Sequence, residues 1–166
     1  NNANNAGAIA SAEFEGYLYW GVGNWATGAQ LWRTDGEEME PIIQDGFGVV
    51  ANGAITALEV FDGYLYANLS NPGSIQIWRS DDGTDWDHVI DGTIGSAGSH
   101  NEGALEVYRG RLYLVIRNND IGLEVWSTEN GDDWVQVGFA GLGDPNNVWT
   151  YWDNATVEYQ DRLYIA

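Results

Sequence analysis

Cysteine is absent from the 166 residues, and so is lysine. Without cysteine there is no disulfide framework, no thiolate metal site and no cysteine nucleophile, so stability has to come from packing and strand pairing. Positive charge is scarce. The basic residues are Arg33, Arg79, Arg109, Arg111, Arg117 and Arg162, against 25 acidic ones, for a formal net charge of −19. A phosphate-binding face needs clustered Lys and Arg to release counterions, and these arginines are scattered, so nucleic acid is excluded as a partner. Two histidines, His88 and His100, are too few for a zinc site without cysteine. No run approaches the roughly 18 consecutive apolar residues of a membrane span, so no membrane insertion is expected. The 3.6-residue periodicity of helices is missing as well.

What is present is a large apolar and aromatic fraction, 44% and 13%, enough for one folded core. The acidic excess suits cations, high salt or repulsion between copies. Ca²⁺ is the one ion the acidic clusters would take, although the ligand spacing of an EF-hand loop is missing; no other cofactor is expected. The chain opens Asn1-Asn2-Ala3-Asn4-Asn5 without an initiator Met, which reads as a mature terminus after signal cleavage or a trimmed chain, and so as a secreted or cell-surface protein. Asn68-Leu69-Ser70 and Asn154-Ala155-Thr156 make Asn68 and Asn154 candidate glycan acceptors.

The chain repeats itself. Phe14-Glu15-Gly16-Tyr17-Leu18-Tyr19 recurs as Phe61-Asp62-Gly63-Tyr64-Leu65-Tyr66 and as Tyr108-Arg109-Gly110-Arg111-Leu112-Tyr113, both at an offset of 47, and again as Tyr159-Gln160-Asp161-Arg162-Leu163-Tyr164. Gln30-Leu31-Trp32-Arg33, Gln76-Ile77-Trp78-Arg79 and Glu124-Val125-Trp126-Ser127 keep the same beat. Each unit divides into four short strands bounded by Gly, Asn and Asp, with Asp62-Gly63 reading as a tight primed hairpin turn. A period near 47 with such strands predicts an all-β fold: β-propeller blades of four antiparallel strands, about three and a half in this chain. The expected blades are 11–44, 54–91 and 103–138, with a half blade over 155–166. Residues 1–10 are expected to be a leader, or a strand donated to a neighbour through Ala6–Ala10.

The units resemble the tandem propeller repeats of secreted and cell-surface proteins of bacteria and archaea. Gly141-Leu142-Gly143-Asp144-Pro145-Asn146-Asn147 matches their loop, and Ser80-Asp81-Asp82-Gly83-Thr84-Asp85-Trp86 and Ser127-Thr128-Glu129-Asn130-Gly131-Asp132-Asp133-Trp134 are similar to the Asp-box turn of sialidase-like propellers. The resemblance implies that Gly83, Gly131, Trp86 and Trp134 are structural turn residues between outer strands. Trp32, Trp78 and Trp126 recur in phase and are expected in the core. The first unit departs from the pattern, with Met39 where the others have Trp and a turn one residue shorter.

A sialidase-type active site needs an arginine cluster, a Tyr–Glu pair and an acidic proton donor at the axis. Two of the arginines, Arg33 and Arg79, repeat from blade to blade, which marks them as blade-holding residues. No nucleophile-elbow sequence accompanies either histidine. The reading is therefore of a chain without enzyme activity. Binding is expected on the loops that differ between units, all on one face, with Asn24, Trp25, His100, Asn101, Arg117, Asn119, Asp120, Asn147, Trp149 and Trp152 as candidates. For Trp149 and Trp152 the favoured reading is packing against the adjacent blade. The expected function is a non-catalytic extracellular propeller acting in surface structure or self-assembly by strand or blade completion. Its expected partners are other copies of itself or the rest of a longer chain. The alternatives are a lectin-like module binding a carbohydrate or protein, and a sialidase-like glycoside hydrolase fragment.

Overall fold

The computed structural model describes residues 3–91, 94–148 and 156–165. The first blade is a sheet of β1 (Gly7–Phe14), β2 (Tyr17–Gly23), β3 (Gln30–Thr34) and β4 (Met39–Ile43), in that spatial order. The second is β5 (Ala54–Phe61), β6 (Tyr64–Ser70), β7 (Gln76–Ser80) and β8 (Asp87–Asp91). The third is β9 (Ser99–Tyr108), β10 (Arg111–Asn118), β11 (Glu124–Thr128) and β12 (Val135–Gln136), and β13 (Thr156–Tyr159) pairs with β14 (Arg162–Ile165) as the first half of a fourth. All pairings are antiparallel. The chain is a β-propeller segment of about three and a half blades. Its helical content among the described residues is one short 3₁₀ turn, Ala140–Gly143.

The repeated hairpin is dictated by its two central residues. Glu15 and Gly16, Asp62 and Gly63, and Arg109 and Gly110 all have positive φ, between 49° and 80°, the primed turn whose twist matches that of its strands. In the half blade, Asp161 takes the glycine's place at φ 56°, a conformation Asp tolerates better than most residues.

Two boundaries differ from the sequence reading. Gly7 pairs with Gly23 and Ala8 with Val22, so the segment expected as a leader or donated strand is the first part of the innermost strand of its own blade. A register shift between Ala8 and Ala10 breaks the alternation that would have revealed it. The third blade begins at Ser99 rather than 103, again behind a register shift, at Ile116/Arg117. His100 is accordingly a strand residue paired with Arg117, not a loop residue.

The core lies between blades. Tyr19, Leu31, Ile55, Leu65 and Leu69 form one buried cluster between the first and second blades, and Tyr66, Ile77, Ile90, Leu112, Leu114 and Ile116 form another between the second and third. A smaller one joins Val115, Leu123 and Val125 to Ile165 of the half blade. Each large side chain buried this way contributes about 1.5–3 kcal/mol. Trp78 and Trp86 flank Phe47 at ring-centroid distances of 5.1 and 5.3 Å, while Trp78 stacks on the exposed His88 at 4.7 Å. All three in-phase tryptophans are half-buried, and Trp78 and Trp126 are wedges at blade interfaces.

A directional contact repeats between blades. Gly83, in the β7–β8 turn, has φ +76°, and a Cβ built on it falls inside the hydroxyl of Tyr19 from the preceding blade. Gly131, in the β11–β12 turn, meets the hydroxyl of Tyr66 in the same way at φ +80°. The equivalent position of the first blade, Gly36, has open space around it. Ser80 Oγ and Thr128 Oγ1 accept the N–H of Gly83 and Gly131 at 2.8 and 2.9 Å and so set both turns.

Asn68, a candidate glycan acceptor, has no solvent exposure; its amide donates to Thr56 Oγ1 at 2.9 Å and to the Gly103 carbonyl at 3.2 Å. A glycan cannot be carried there in the folded chain. Asn154 lies outside the described residues.

Candidate functional site at the propeller axis

The first strands of successive blades, β1, β5, β9 and β13, run side by side along the axis. Pairing across each inner hairpin identifies equivalent positions: Ala12 opposite Tyr19, Glu59 opposite Tyr66, Glu106 opposite Tyr113, and Val157 opposite Tyr164. At one level of the inner strands the second and third blades therefore carry carboxylates where the first and fourth carry apolar residues.

Glu59 and Glu106 share a field. Burial raises the Glu59 carboxyl first, the negative charge of Glu106 raises it further, and together they outweigh a hydrogen bond from the Val60 backbone to place it at about 7. Glu106 Oε2 accepts the hydroxyl of Thr156, from the half blade, at 2.7 Å. The result is two neighbouring carboxyl groups, one of them carrying its proton up to neutral pH.

Such a group stores a pH-dependent cost. With a folded pKa above the unfolded value of 4.5, Glu59 binds its proton more tightly in the folded state, so stability falls as pH rises from 4.5 to about 7 and is level above that. Glu59→Gln is therefore expected to raise stability by about 1–3 kcal/mol at pH 8 and to change it little at pH 4, read by urea unfolding at both pH values.

The loop-face candidates divide into two kinds. Asn24, Asn71 and Asn118 stand 47 residues apart, all buried, and each caps its own loop between the second and third strands. Asn24 Oδ1 accepts the N–H of Ala26 and Thr27, Asn71 Oδ1 that of Gly73, and Asn118 Oδ1 those of Asp120 and Ile121. Asn147 belongs with Asn52: their amides donate to the Gly141 and Gly46 carbonyls, at 2.9 and 2.8 Å, and hold the loops between blades. Asn24 and Asn147 are thus loop-building residues, Asn24 buried and Asn147 exposed. Trp25, Asn119 and Asp120 are exposed, and Arg117 is half-buried with its Nε donating to Asn119 Oδ1 at 2.8 Å. Trp25 comes from the first blade and the other three from the third. Of His100 and Asn101 the backbone is described, in β9; Trp149 and Trp152 lie outside the described residues.

Sequence reasoning missed a third carboxylate besides Glu59 and Glu106. Glu124 occupies the position of Gln30 and Gln76, has no solvent exposure, and accepts hydrogen bonds from the Ser96 N–H (2.9 Å), Ser96 Oγ (3.2 Å), Ser99 Oγ (2.6 Å), Asn118 Nδ2 (3.0 Å) and Gln136 Nε2 (3.3 Å). Burial alone would raise its pKa, but the donors overcome it and hold the carboxyl below the usual range. Among the described residues no three His, Asp or Glu side chains converge as a metal site, so no ligand set for Ca²⁺ can be named.

No family model matches the chain, and no curated protein matches it. Solved structures do. A sucrose-6-phosphate hydrolase from Lactobacillus gasseri aligns with a TM-score of 0.60 at 10% identity, over 84% of this chain and 35% of its own. A thermostable family-43 glycoside hydrolase aligns with a TM-score of 0.55 at 11% identity, over 95% of this chain and 61% of its own. An α-L-arabinofuranosidase from Clostridium thermocellum gives 0.53 at 15% identity, over 94% and 58%. The chain spans less than two thirds of the length of each. At these identities the likeness establishes the propeller fold. The propellers it resembles are those of glycoside hydrolases, and this overturns the expectation of a non-catalytic assembly protein and of a chain without enzyme activity. The repeats had directed attention to blade-holding residues, while Glu59 and Glu106 occupy an axial position that only two of the four units make acidic.

Proposed function

We propose that this chain forms part of a carbohydrate-active propeller that hydrolyses glycosidic bonds, with Glu59 and Glu106 as its paired carboxyl groups. The observation that carries the reading is the juxtaposition of these two side chains on adjacent inner strands, one protonated near neutrality. Glycoside hydrolysis needs that division of labour: an acid to protonate the departing glycosidic oxygen, and a carboxylate to activate water or attack the anomeric carbon. Glu59 is the acid in this scheme. Glu106, oriented by the Thr156 hydroxyl, is the base or nucleophile. The likeness to glycoside hydrolase propellers supports the same reaction class.

Incubation with a panel of neutral oligosaccharides, read as reducing-sugar release, tests the proposal. Release is expected, falling as pH rises through about 7 as Glu59 loses its proton. Glu59→Gln and Glu106→Gln are each expected to lower the rate by about 10²–10⁴ with the fold intact by circular dichroism. No release by the wild type, or undiminished release by both variants, overturns it.

A further inference from the structure

Trp25 is the residue of the loop face that the fold does not account for. It stands where the second and third blades have Pro72 and Asn119, so no repeat requirement explains it. Despite its size it is 58% exposed. Its underside, however, is built. A Cβ at Gly53 would lie 2.6 Å from the indole Nε1, and one at Gly23 would lie 3.1 and 3.2 Å from its six-membered ring. The ring therefore lies flat across two backbone segments that have no side chains. Neither glycine takes the left-handed conformation, so the turn geometry does not require glycine at either position; close approach of the indole does. Buried Asn24 fixes the preceding residue, donating its backbone N–H to the Gly53 carbonyl at 2.7 Å and capping the turn that carries the ring.

From this geometry we infer that the outward face of Trp25 is a stacking platform for a neutral sugar ring. A flat apolar face with one side in water fits the apolar face of a pyranose or furanose ring. The net charge of −19 disfavours anionic sugars. Gly53 leads directly into β5, and Glu59 lies six residues on, about 20 Å along the strand at its usual rise. The platform is thus at the opposite end of the inner strand from the carboxyl pair. It serves a part of the substrate remote from the bond being broken, where binding energy positions the rest. The choice of a sugar as ligand rests on the hydrolytic reading.

The test is the binding of manno-, arabino- and cellotriose by isothermal titration and by the indole N–H signals in nitrogen-15 correlation spectra. The proteins are wild type, Trp25→Ala and Trp25→Tyr. One triose is expected to bind and to shift a single indole signal, the one missing from the Trp25 variants. Affinity should fall at least about tenfold in Trp25→Ala and stay within a few-fold in Trp25→Tyr, which keeps a ring on the glycine bed. Equal binding by Trp25→Ala, or no binding of any triose by the wild type, overturns the inference. Cleavage is not part of this readout, so a chain that binds through Trp25 without hydrolysing retains the platform and loses only the hydrolytic reading.

Discussion

Glu124→Leu is expected to cost about 2–4 kcal/mol, a large part of the stability of a domain this size. The substitution keeps apolar bulk but takes the acceptor away from Ser96, Ser99, Asn118 and Gln136, of which Asn118 is buried, Ser99 is half-buried, and Ser96 and Gln136 can turn to water. Each buried donor left without an acceptor costs about 1–3 kcal/mol. Glu124→Gln is the informative companion, because the first two blades already use glutamine at this position. There Gln30 Oε1 accepts from Trp32 Nε1 and Gln76 Oε1 from Trp78 Nε1, so one acceptor suffices. The third blade has collected more donors, and glutamine's amide N–H₂ would face some of them, so a loss about half as large is expected. Urea unfolding at pH 7 separates the three proteins. The sign with pH is opposite to that for Glu59. A carboxyl held below 4.5 in the folded state contributes stability that is complete above 4.5 and is lost as pH falls through the folded value, and Glu124→Gln should remove that acid-limb loss.

The second large effect is expected at the contact between blades. Gly83→Ala brings a methyl group into the space of the Tyr19 hydroxyl and places an L side chain at φ +76°. Overpacking and left-handed strain together amount to about 3 kcal/mol. Gly36→Ala, at the equivalent turn of the first blade, meets nothing within 4 Å and incurs the backbone term alone, about 1–2 kcal/mol. The difference between the two isolates the interblade contact. Tyr19→Phe in the Gly83→Ala background removes the atom struck first and is expected to recover part of the loss, although the ring carbon behind it, 2.6 Å from the built Cβ, still crowds the site. Equal losses at Gly36 and Gly83 in chemical denaturation would show that the contact carries no energy.

Much of the fold was legible because a repeat states the same requirement several times. The Gly-Tyr-Leu-Tyr hairpins, the in-phase Trp32, Trp78 and Trp126, and the paired Gly83 and Gly131 turns each emerged from comparing the chain with itself. What escaped was local irregularity. The register shifts that displace the starts of β1 and β9 leave no mark in an apolar stretch such as Ala8-Ile9-Ala10. The site was harder still. Glu59 and Glu106 sit in Leu-Glu-Val triplets that read as ordinary strand alternation, and sequence does not reveal which strand face turns toward a neighbouring carboxylate. The signal was nonetheless there: the repeat makes this position Ala12, Glu59, Glu106 and Val157, a charge in only half the units. The same comparison would have placed Asn24 in phase with Asn71 and Asn118, and so among the loop builders.

The tyrosine-to-glycine contacts all lean one way round the axis, each blade reaching into the turn of the one that follows. Couplings of this kind act between nearest neighbours, so the chain has the energetics of a one-dimensional stack. The second blade is gripped on both faces, its own glycine filled and its own tyrosine engaged. The half blade joins the third through Ile165, which packs on Val115, Leu123 and Val125. Of the three four-stranded blades, the second, whose inner strand carries Glu59, is therefore the one expected to hold its native backbone longest against local opening.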